Sequence, residues 1–155
     1  MPLRALIQKR RKHDESLEHH ESVLSQPQRQ RGFARSAVAA FAAQADPTMD
    51  ELADIKTAVS EAVTNCIVHA YPNVIGPVTL TAALQEGGVL RIVVADKGCG
   101  IDDVPRAMQP MFTTGGPERA GLGFAVMESF MDRVKVRSVP GKGTRVTLEK
   151  RLGRR

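Results

Sequence analysis

The sequence predicts an α+β protein, with amphipathic helices and antiparallel strand pairs in separate stretches of the chain. Two alternating segments, residues 78–95 and 134–149, are each interrupted by a glycine-containing turn, which predicts two β-hairpins. Apolar residues recur with the helical period before the first hairpin and again between the two. At 155 residues and 42% hydrophobic content, the chain should form one domain with a substantial core.

The net charge of +5 is concentrated at the ends of the chain. Residues 1–35 carry eight Lys/Arg against four Asp/Glu and residues 150–155 four against none, which leaves ten against thirteen between them. With one Tyr and no Trp, this distribution favours solvated basic tails over nucleic-acid binding. No apolar run approaches the roughly 20 residues that span a bilayer, and no signal core opens the chain, so we expect a cytoplasmic protein.

The N-terminal segment, residues 1–31, is basic and polar with little periodicity, which predicts a loose helix or disorder. We therefore place one domain over residues 32–150, followed by a basic tail at 151–155. Cys66 and Cys99 lie in different elements and lack metal-ligand spacing, so both are predicted to be reduced thiols without a disulfide.

Two amphipathic helices open the predicted domain. The first is marked by an apolar series at helical spacing: Phe33, Ala37, Val38, Phe41 and Ala45. Asp46-Pro47 then has the composition of a helix start, and a second helix should run to about His69. Its predicted apolar face comprises Leu52, Ile55, Val59, Ala62, Val63, Cys66, Ile67 and Ala70.

Glu61 and Asn65 lie one turn apart on the other side of this second helix, so they could address one ligand together. Asn is a mildly poor helix former, so its presence in the middle of a helix asks for a reason. A solvated polar stripe is the simpler alternative, since Asp54 falls on the same line. The helix alone leaves both interpretations open.

Residues 89–95 predict a buried strand that ends at Asp96-Lys97-Gly98-Cys99-Gly100, paired through Gly87-Gly88 with a strand at 78–84. Glycines spaced by one residue let the backbone turn sharply and approach a ligand closely. This pattern is typical of a nucleotide pocket, although a plain turn after a strand would have the same composition.

A short helix should follow, begun by Asp102-Asp103-Val104-Pro105 and ended by Pro110. Residues 112–120 are small, polar and glycine-containing, which predicts a flexible loop or a lid. Gly121-Leu122-Gly123 opens a third helix, whose N–H groups and dipole could bind phosphates. Its predicted buried side comprises Phe124, Val126, Met127, Phe130, Met131 and Val134.

The last hairpin turns at Pro140-Gly141-Lys142-Gly143, after which Thr144 begins the final strand. The order of these motifs resembles the catalytic domain shared by gyrase, sensor histidine kinases and MutL, the Bergerat or GHKL ATP-binding fold. That resemblance implies a two-layer α/β sandwich, in which helices cover one face of a mixed, mostly antiparallel sheet.

Within this fold, the chain closely resembles the sporulation anti-sigma F factors, protein-serine kinases of endospore-forming bacteria, from about Leu24 to Lys150. The matching motifs are Phe33-Ala34-Arg35, Asp46-Pro47-Thr48-Met49-Asp50-Glu51-Leu52, Ser60-Glu61-Ala62-Val63-Thr64-Asn65, Phe112-Thr113-Thr114 and Gly121-Leu122-Gly123-Phe124.

The resemblance implies a role for each motif. Asn65 would hold a Mg²⁺ that bridges the phosphates of ATP or ADP, and Glu61 would be the general base for the attacking serine. Asp96 would accept a hydrogen bond from the adenine amino group, supported by Thr144. Gly98 and Gly100 would let the backbone approach the base.

Further roles follow at the phosphate end of the implied site. Gly121, Leu122 and Gly123 would bind the phosphates under a lid from Thr113 to Ala120. Thr113 and Thr114 would contact the nucleotide, and Arg119 would neutralise charge on the transferred group. Arg35, in the first helix, would contact a sigma factor.

The implied partners are sigma F, bound by a homodimer, and a small anti-anti-sigma factor that is phosphorylated on serine. Gly115-Gly116 stands where the family tends to place a Lys, and the lid is about a residue short. A nucleotide-dependent sigma-binding module with little transfer is therefore one alternative, and the general-stress anti-sigma kinase is another. The family also begins with a strand that joins the sheet and the dimer, of which residues 1–31 show only Ser22-Val23-Leu24.

Overall fold

The structure, a computed structural model, describes residues 5–7, 19–24, 27–110 and 122–153. These residues form four α-helices, α1 (Pro27–Ala42), α2 (Met49–Asn65), α3 (Val104–Ala107) and α4 (Gly123–Phe130). They also form six strands: β1 (Ala5–Ile7), β2 (His19–Leu24), β3 (Val78–Gln85), β4 (Val89–Asp96), β5 (Arg133–Val139) and β6 (Gly143–Arg151).

The six strands form one sheet in the order β1-β2-β3-β4-β6-β5. Every neighbouring pair is antiparallel. The predicted α+β class and both predicted hairpins are therefore confirmed, while the described strands contain no parallel pair. Gly87 and Gly88 both have φ of 73°, which is the left-handed conformation that the tight turn between β3 and β4 requires.

The core lies between the sheet and a helical layer in which α2 packs beside both α1 and α4 and over β4 and β6. Side chains alternate across a sheet, and Leu90, Ile92 and Val94 are the buried positions of β4. Asp96 continues this inward series at the end of the strand and is only 9% exposed. The alternation that builds the core thus turns one carboxylate towards the helices.

Helix α2 confirms the predicted second helix, and a π-helical turn at Cys66–Ala70 extends it. Its predicted apolar face is also confirmed, with Leu52 and Ile67 partly buried against the core and the other members buried. The predicted start was wrong. Thr48 is the N-cap, because its Oγ1 accepts from Glu51 N–H while the Glu51 carboxylate accepts from Thr48 N–H, and this capping box satisfies two donors at once.

We expect Thr48→Ala to lower the free energy of unfolding by about 1 kcal/mol, since it leaves the N–H of Glu51 without its cap. Chemical denaturation measures this effect. Thr57→Ala is the matched control, because Thr57 is exposed on the same helix and its hydroxyl bonds only the Ala53 carbonyl within the turn. Equal unfolding free energies for the two variants would contradict the capping assignment.

The N-terminal prediction needs correction where the structure describes this segment. Strand β2 pairs with β3 from His19 opposite Ala83 to Leu24 opposite Val78, where a loose helix or disorder was expected. The neighbouring strands β1 and β3 supply backbone partners that a weak sequence pattern does not reveal. The strand includes Ser22-Val23-Leu24, which the sequence had singled out.

Helix α1 begins at Pro27 and therefore crosses the domain boundary predicted near Gly32. Its buried side chains are Gln30, Ala34, Val38, Phe41 and Ala42, whereas Phe33 is 38% exposed. The inward line runs through positions four apart from Gln30 to Ala42, so it is offset by one residue from a line through Phe33.

Helix α3 confirms the predicted short helix and is capped by the Asp103 carboxylate. Phe124 and Met127 of α4 and Met131, which follows the helix, are buried as predicted. Phe130, the last residue of α4, is 37% exposed. The predicted lid and Gly121 lie outside the described residues.

Cys66 and Cys99 are both free thiols, as predicted. None of the helices in the described ranges is both long and apolar enough to cross a membrane.

Candidate functional site

The Asp96 carboxylate is held by the backbone on both sides of it. Gly98 N–H donates to Oδ1 over 2.9 Å, and Thr144 N–H donates to the same oxygen over 3.2 Å. A buried carboxylate is tolerated only with such donors. The structure therefore brings the Thr144 backbone to Asp96, and the predicted support of Thr144 for the adenine contact stays a prediction.

The Thr144 hydroxyl does not bond the Asp96 carboxylate but lies 2.8 Å from the Ser138 hydroxyl. Ser138 also donates to the Gly143 carbonyl over 3.1 Å and accepts from Ile101 N–H over 2.7 Å. It joins the start of β6 to the turn that follows Asp96. Sequence reasoning missed Ser138, although it interrupts the inward valine series of β5 begun by Val134 and Val136.

Three glycines around Asp96 are required by the packing of the chain itself. A Cβ would overlap the Ala70 carbonyl at Gly98, the Val139 carbonyl at Gly100 and the Asp96 carbonyl at Gly143. Gly100 and Gly143 also have positive φ, at 73° and 118°. The role of Gly98 and Gly100 towards a bound base stays a prediction.

Tyr71 positions the same turn from the other side, a role that the sequence analysis missed. Its hydroxyl accepts from Lys97 N–H over 2.7 Å and donates to the Pro77 carbonyl. Its ring covers Gly76, where a Cβ would overlap it. Burial raises the pKa of the Tyr71 hydroxyl, so it stays a donor at neutral pH.

We expect Tyr71→Phe to weaken nucleotide binding about three- to tenfold, because the Lys97 N–H and the Pro77 carbonyl lose their partner while the ring stays. Titration with a fluorescent ATP analogue measures the dissociation constant. Thermal unfolding in the same buffer separates a local effect on the turn from a general loss of fold. An unchanged dissociation constant would show that Tyr71 does not position the site.

Glu61 and Asn65 face the start of α4. A Cβ built on Gly123 would lie 3.2 Å from Asn65 Oδ1 and 3.3 Å from Glu61 Oε2, so a side chain at this position would press against both groups. Asp54, on the same line of α2, instead lies 3.0 Å from Lys150 Nζ. The polar stripe of α2 therefore has two parts. Asp54 forms an ion pair at one end, and Glu61 and Asn65 face α4 at the other.

The N-terminus of α4 lies at this point. Leu122 precedes the helix, and no side chain of the described residues caps its first turn. The first N–H groups of a helix lack partners within it, and its positive end attracts anions. The predicted phosphate role of Leu122 and Gly123 is consistent with this geometry.

The residues here also fit the implied Mg²⁺. No group of three or more His, Cys, Asp or Glu residues that could hold a metal occurs within the described ranges. The chain offers the Asn65 amide oxygen beside an anion-binding helix start. Mg²⁺ commonly takes one or two protein ligands and completes its shell with phosphate oxygens and water.

Cys66 connects the two halves of the site, which the sequence did not predict. It follows Asn65 in the chain, is buried, and lies close enough to Asp96 for that carboxylate to act on its thiol. Burial, and then the charge and hydrogen bond of Asp96, raise the pKa of the Cys66 thiol well above its usual value. The thiol is therefore protonated and neutral at neutral pH.

We expect Cys99 to be alkylated by iodoacetamide much faster than Cys66 at pH 8, because the thiolate is the nucleophile and Cys66 is both buried and protonated. Mass spectrometry of time points gives both rates in one sample. Equal rates in the folded protein would contradict the placement of Cys66 against Asp96.

The remaining predicted residues are less well placed. Arg35 is exposed on α1, where a partner could reach it. Thr113, Thr114, Arg119 and Gly121 lie outside the described residues, so their roles stay predictions.

Comparison with known proteins places this site in context. Residues 23–150 match the family model of the histidine kinase-like ATPase domain. The anti-sigma F factor of Caldanaerobacter subterraneus subsp. tengcongensis is 60% identical over 123 residues, which cover 79% of this chain and 85% of that protein. The anti-sigma F factor of Geobacillus kaustophilus is 52% identical over 123 residues, which cover 79% and 84%.

Solved structures show the same fold. The RsbU and RsbW domains of Rv1364c from Mycobacterium tuberculosis match 86% of this chain and 33% of that one, with a TM-score of 0.61 and 24% identity. The blue-light activated histidine kinase of Erythrobacter litoralis matches 69% and 32%, with a TM-score of 0.55 and 26% identity. The chain thus spans about a third of the length of these two solved chains.

Proposed function

Because the chain belongs to the anti-sigma F factor family and contains a histidine kinase-like ATPase domain, we propose that it is an ATP-dependent protein-serine kinase that also binds and inhibits sigma F. Its substrate would be a serine of an anti-anti-sigma factor, and the pair would regulate transcription during sporulation. Nucleotide binding follows from the family; the phosphoryl transfer and the partners are the proposal.

The observation that carries the proposal is the meeting of Glu61 and Asn65 with the start of α4. Oε2 of Glu61 and Oδ1 of Asn65 each lie about 3 Å from the position of a Cβ on Gly123. The proposed base, the proposed metal ligand and the helix start proposed to bind phosphates are therefore close together. Asp96 lies at the end of β4 and close to Cys66, the residue that follows Asn65.

In the proposed reaction, Asp96 accepts a hydrogen bond from the adenine amino group, and the N–H groups at the start of α4 bind the phosphates. Asn65 would hold Mg²⁺, which when bound neutralises charge on the phosphate oxygens. Glu61 orients the serine hydroxyl and takes its proton as the oxygen bonds to the γ-phosphorus and the bond to the ADP oxygen breaks. Arg119 would stabilise the charge of the transferred group.

The test is incubation with γ-labelled ATP, Mg²⁺ and the anti-anti-sigma factor encoded in the same genome. We expect label on one serine of the partner and none on its Ser→Ala variant. If nucleotide binds but the partner serine stays unlabelled, the kinase proposal fails and the alternative, a nucleotide-dependent sigma-binding module, holds. Gly115-Gly116 in the lid is the observation that favours this alternative.

Partner identity is tested separately, by capture from the native cell with the chain loaded with ADP. We expect sigma F among the captured proteins, and weaker capture with an Arg35→Glu variant. Recovery of a general-stress sigma factor instead would favour the sibling kinase. Sedimentation of the purified chain tests the proposed homodimer, for which a monomer at all concentrations is the contradicting result.

A further inference from the structure

Positive charge is concentrated on the sheet face that points away from the helices. On the outward positions of β4, β5 and β6, Glu149 is the one acidic residue. Six cations share those positions, and all six are exposed: Arg91, Arg133, Lys135, Arg137, Arg145 and Arg151. Residues 36–149 as a whole are slightly acidic, so this face departs from the rest of the domain.

Ion pairs do not account for the cations nearest the hairpin turn. Glu149 lies 3.8 Å from Arg91 Nε and 3.9 Å from Arg133 Nη1. Lys135, Arg137 and Arg145 have no ion pair among the described residues. We call these three side chains the basic hairpin face.

The sheet pairing itself brings like charges together. Arg137 on β5 is directly opposite Arg145 on β6. Like charges in directly opposed positions destabilise a strand pair. A bound carboxylate between the two guanidinium groups would remove this repulsion and could accept bidentate hydrogen bonds from either.

The layout of the basic hairpin face fits an extended chain better than a nucleic acid. Lys135 and Arg137 are alternate residues of one strand, so they stand roughly 7 Å apart, as do alternate side chains of an extended peptide. No aromatic residue occupies an outward position of β4, β5 or β6, so bases would find no stacking platform there. Strand β5 is also the last strand on its side of the described sheet, a position that can accept a further strand.

We propose that the basic hairpin face is a docking surface for an extended acidic segment of a partner protein. The surface is separate from the nucleotide site, because Ser138 and Thr144 point inward from the same two strands while Arg137 and Arg145 point outward. Docking therefore does not require the proposed kinase activity, and its test can be read without ATP.

The experiment uses the full chain and a short fluorescent peptide of alternating Glu and Thr, followed by fluorescence anisotropy at two salt concentrations. We expect binding that weakens with salt and falls about tenfold in Arg145→Glu. This variant should fold, because it places an acidic residue opposite Arg137. The matched control is Lys56→Glu, which makes the same charge change at an exposed position of α2.

Four results would overturn the proposal. The first is that the peptide does not bind, and the second is that Arg145→Glu and Lys56→Glu weaken peptide binding equally. The third is that an oligonucleotide of equal charge binds more tightly than the peptide and loses affinity in Arg145→Glu. The fourth is that Arg145→Glu changes only self-association, measured by sedimentation. The last result would mean that the charges serve only to keep an edge strand from pairing with other copies.

Discussion

Replacing Glu61 with glutamine should leave nucleotide bound and reduce phosphate transfer to serine by at least about 100-fold, the usual contribution of a general base. Glutamine has nearly the same shape, so the space between α2 and the Gly123 backbone is preserved. It cannot take the serine proton. The loss should therefore fall on kcat, measured with labelled ATP at saturating partner, while the dissociation constant for ATP changes little.

Asp54→Asn is the matched control for this result. Asp54 lies on the same side of α2 but pairs with Lys150, so its loss removes a structural ion pair and no predicted catalytic group. We expect nearly normal transfer with a small loss of stability. Equal transfer rates in the Asp54 and Glu61 variants would remove Glu61 from the role of base.

Asp96→Asn should weaken ATP binding about 10- to 100-fold. The asparagine oxygen can still accept from Gly98 N–H and Thr144 N–H. Its NH₂ group would then face the adenine amino group, and two donors cannot bond each other. Calorimetric titration with ATP measures the loss, which should be larger for Asp96→Ala because the buried N–H groups lose their acceptor as well.

The control for Asp96 is Asp103→Asn, which makes the same change at the cap of α3. Here we expect ATP affinity within about twofold of the parent chain, since asparagine caps helices nearly as well as aspartate. Normal ATP affinity in the Asp96 variants would contradict the adenine assignment, whatever happens to phosphate transfer.

Local patterns predicted the parts of the site that depend on periodicity. The alternation of β4 places Asp96 on the inward face, and helical spacing puts Glu61 and Asn65 on one side of α2. The meeting of these elements with Gly123 was implied only by resemblance, because no local pattern specifies which helix start faces α2.

The features that sequence analysis missed depend on contacts between distant residues. Tyr71 bonds Lys97 across a separation of 26 residues, and Ser138 bonds Ile101 across 37. Strand β2 forms because its backbone pairs with β3. Each of these features has a weak local signal, since its partners come from tertiary structure.

The most direct test of the account is a crystal structure of the chain with Mg²⁺ and a non-hydrolysable ATP analogue. We predict the adenine amino group within hydrogen-bond distance of Asp96, the phosphates at the N–H groups of the α4 start, and the Asn65 oxygen in the Mg²⁺ shell. A nucleotide bound with its base away from Asp96, or with its phosphates away from Gly123 and Asn65, would contradict the central claim.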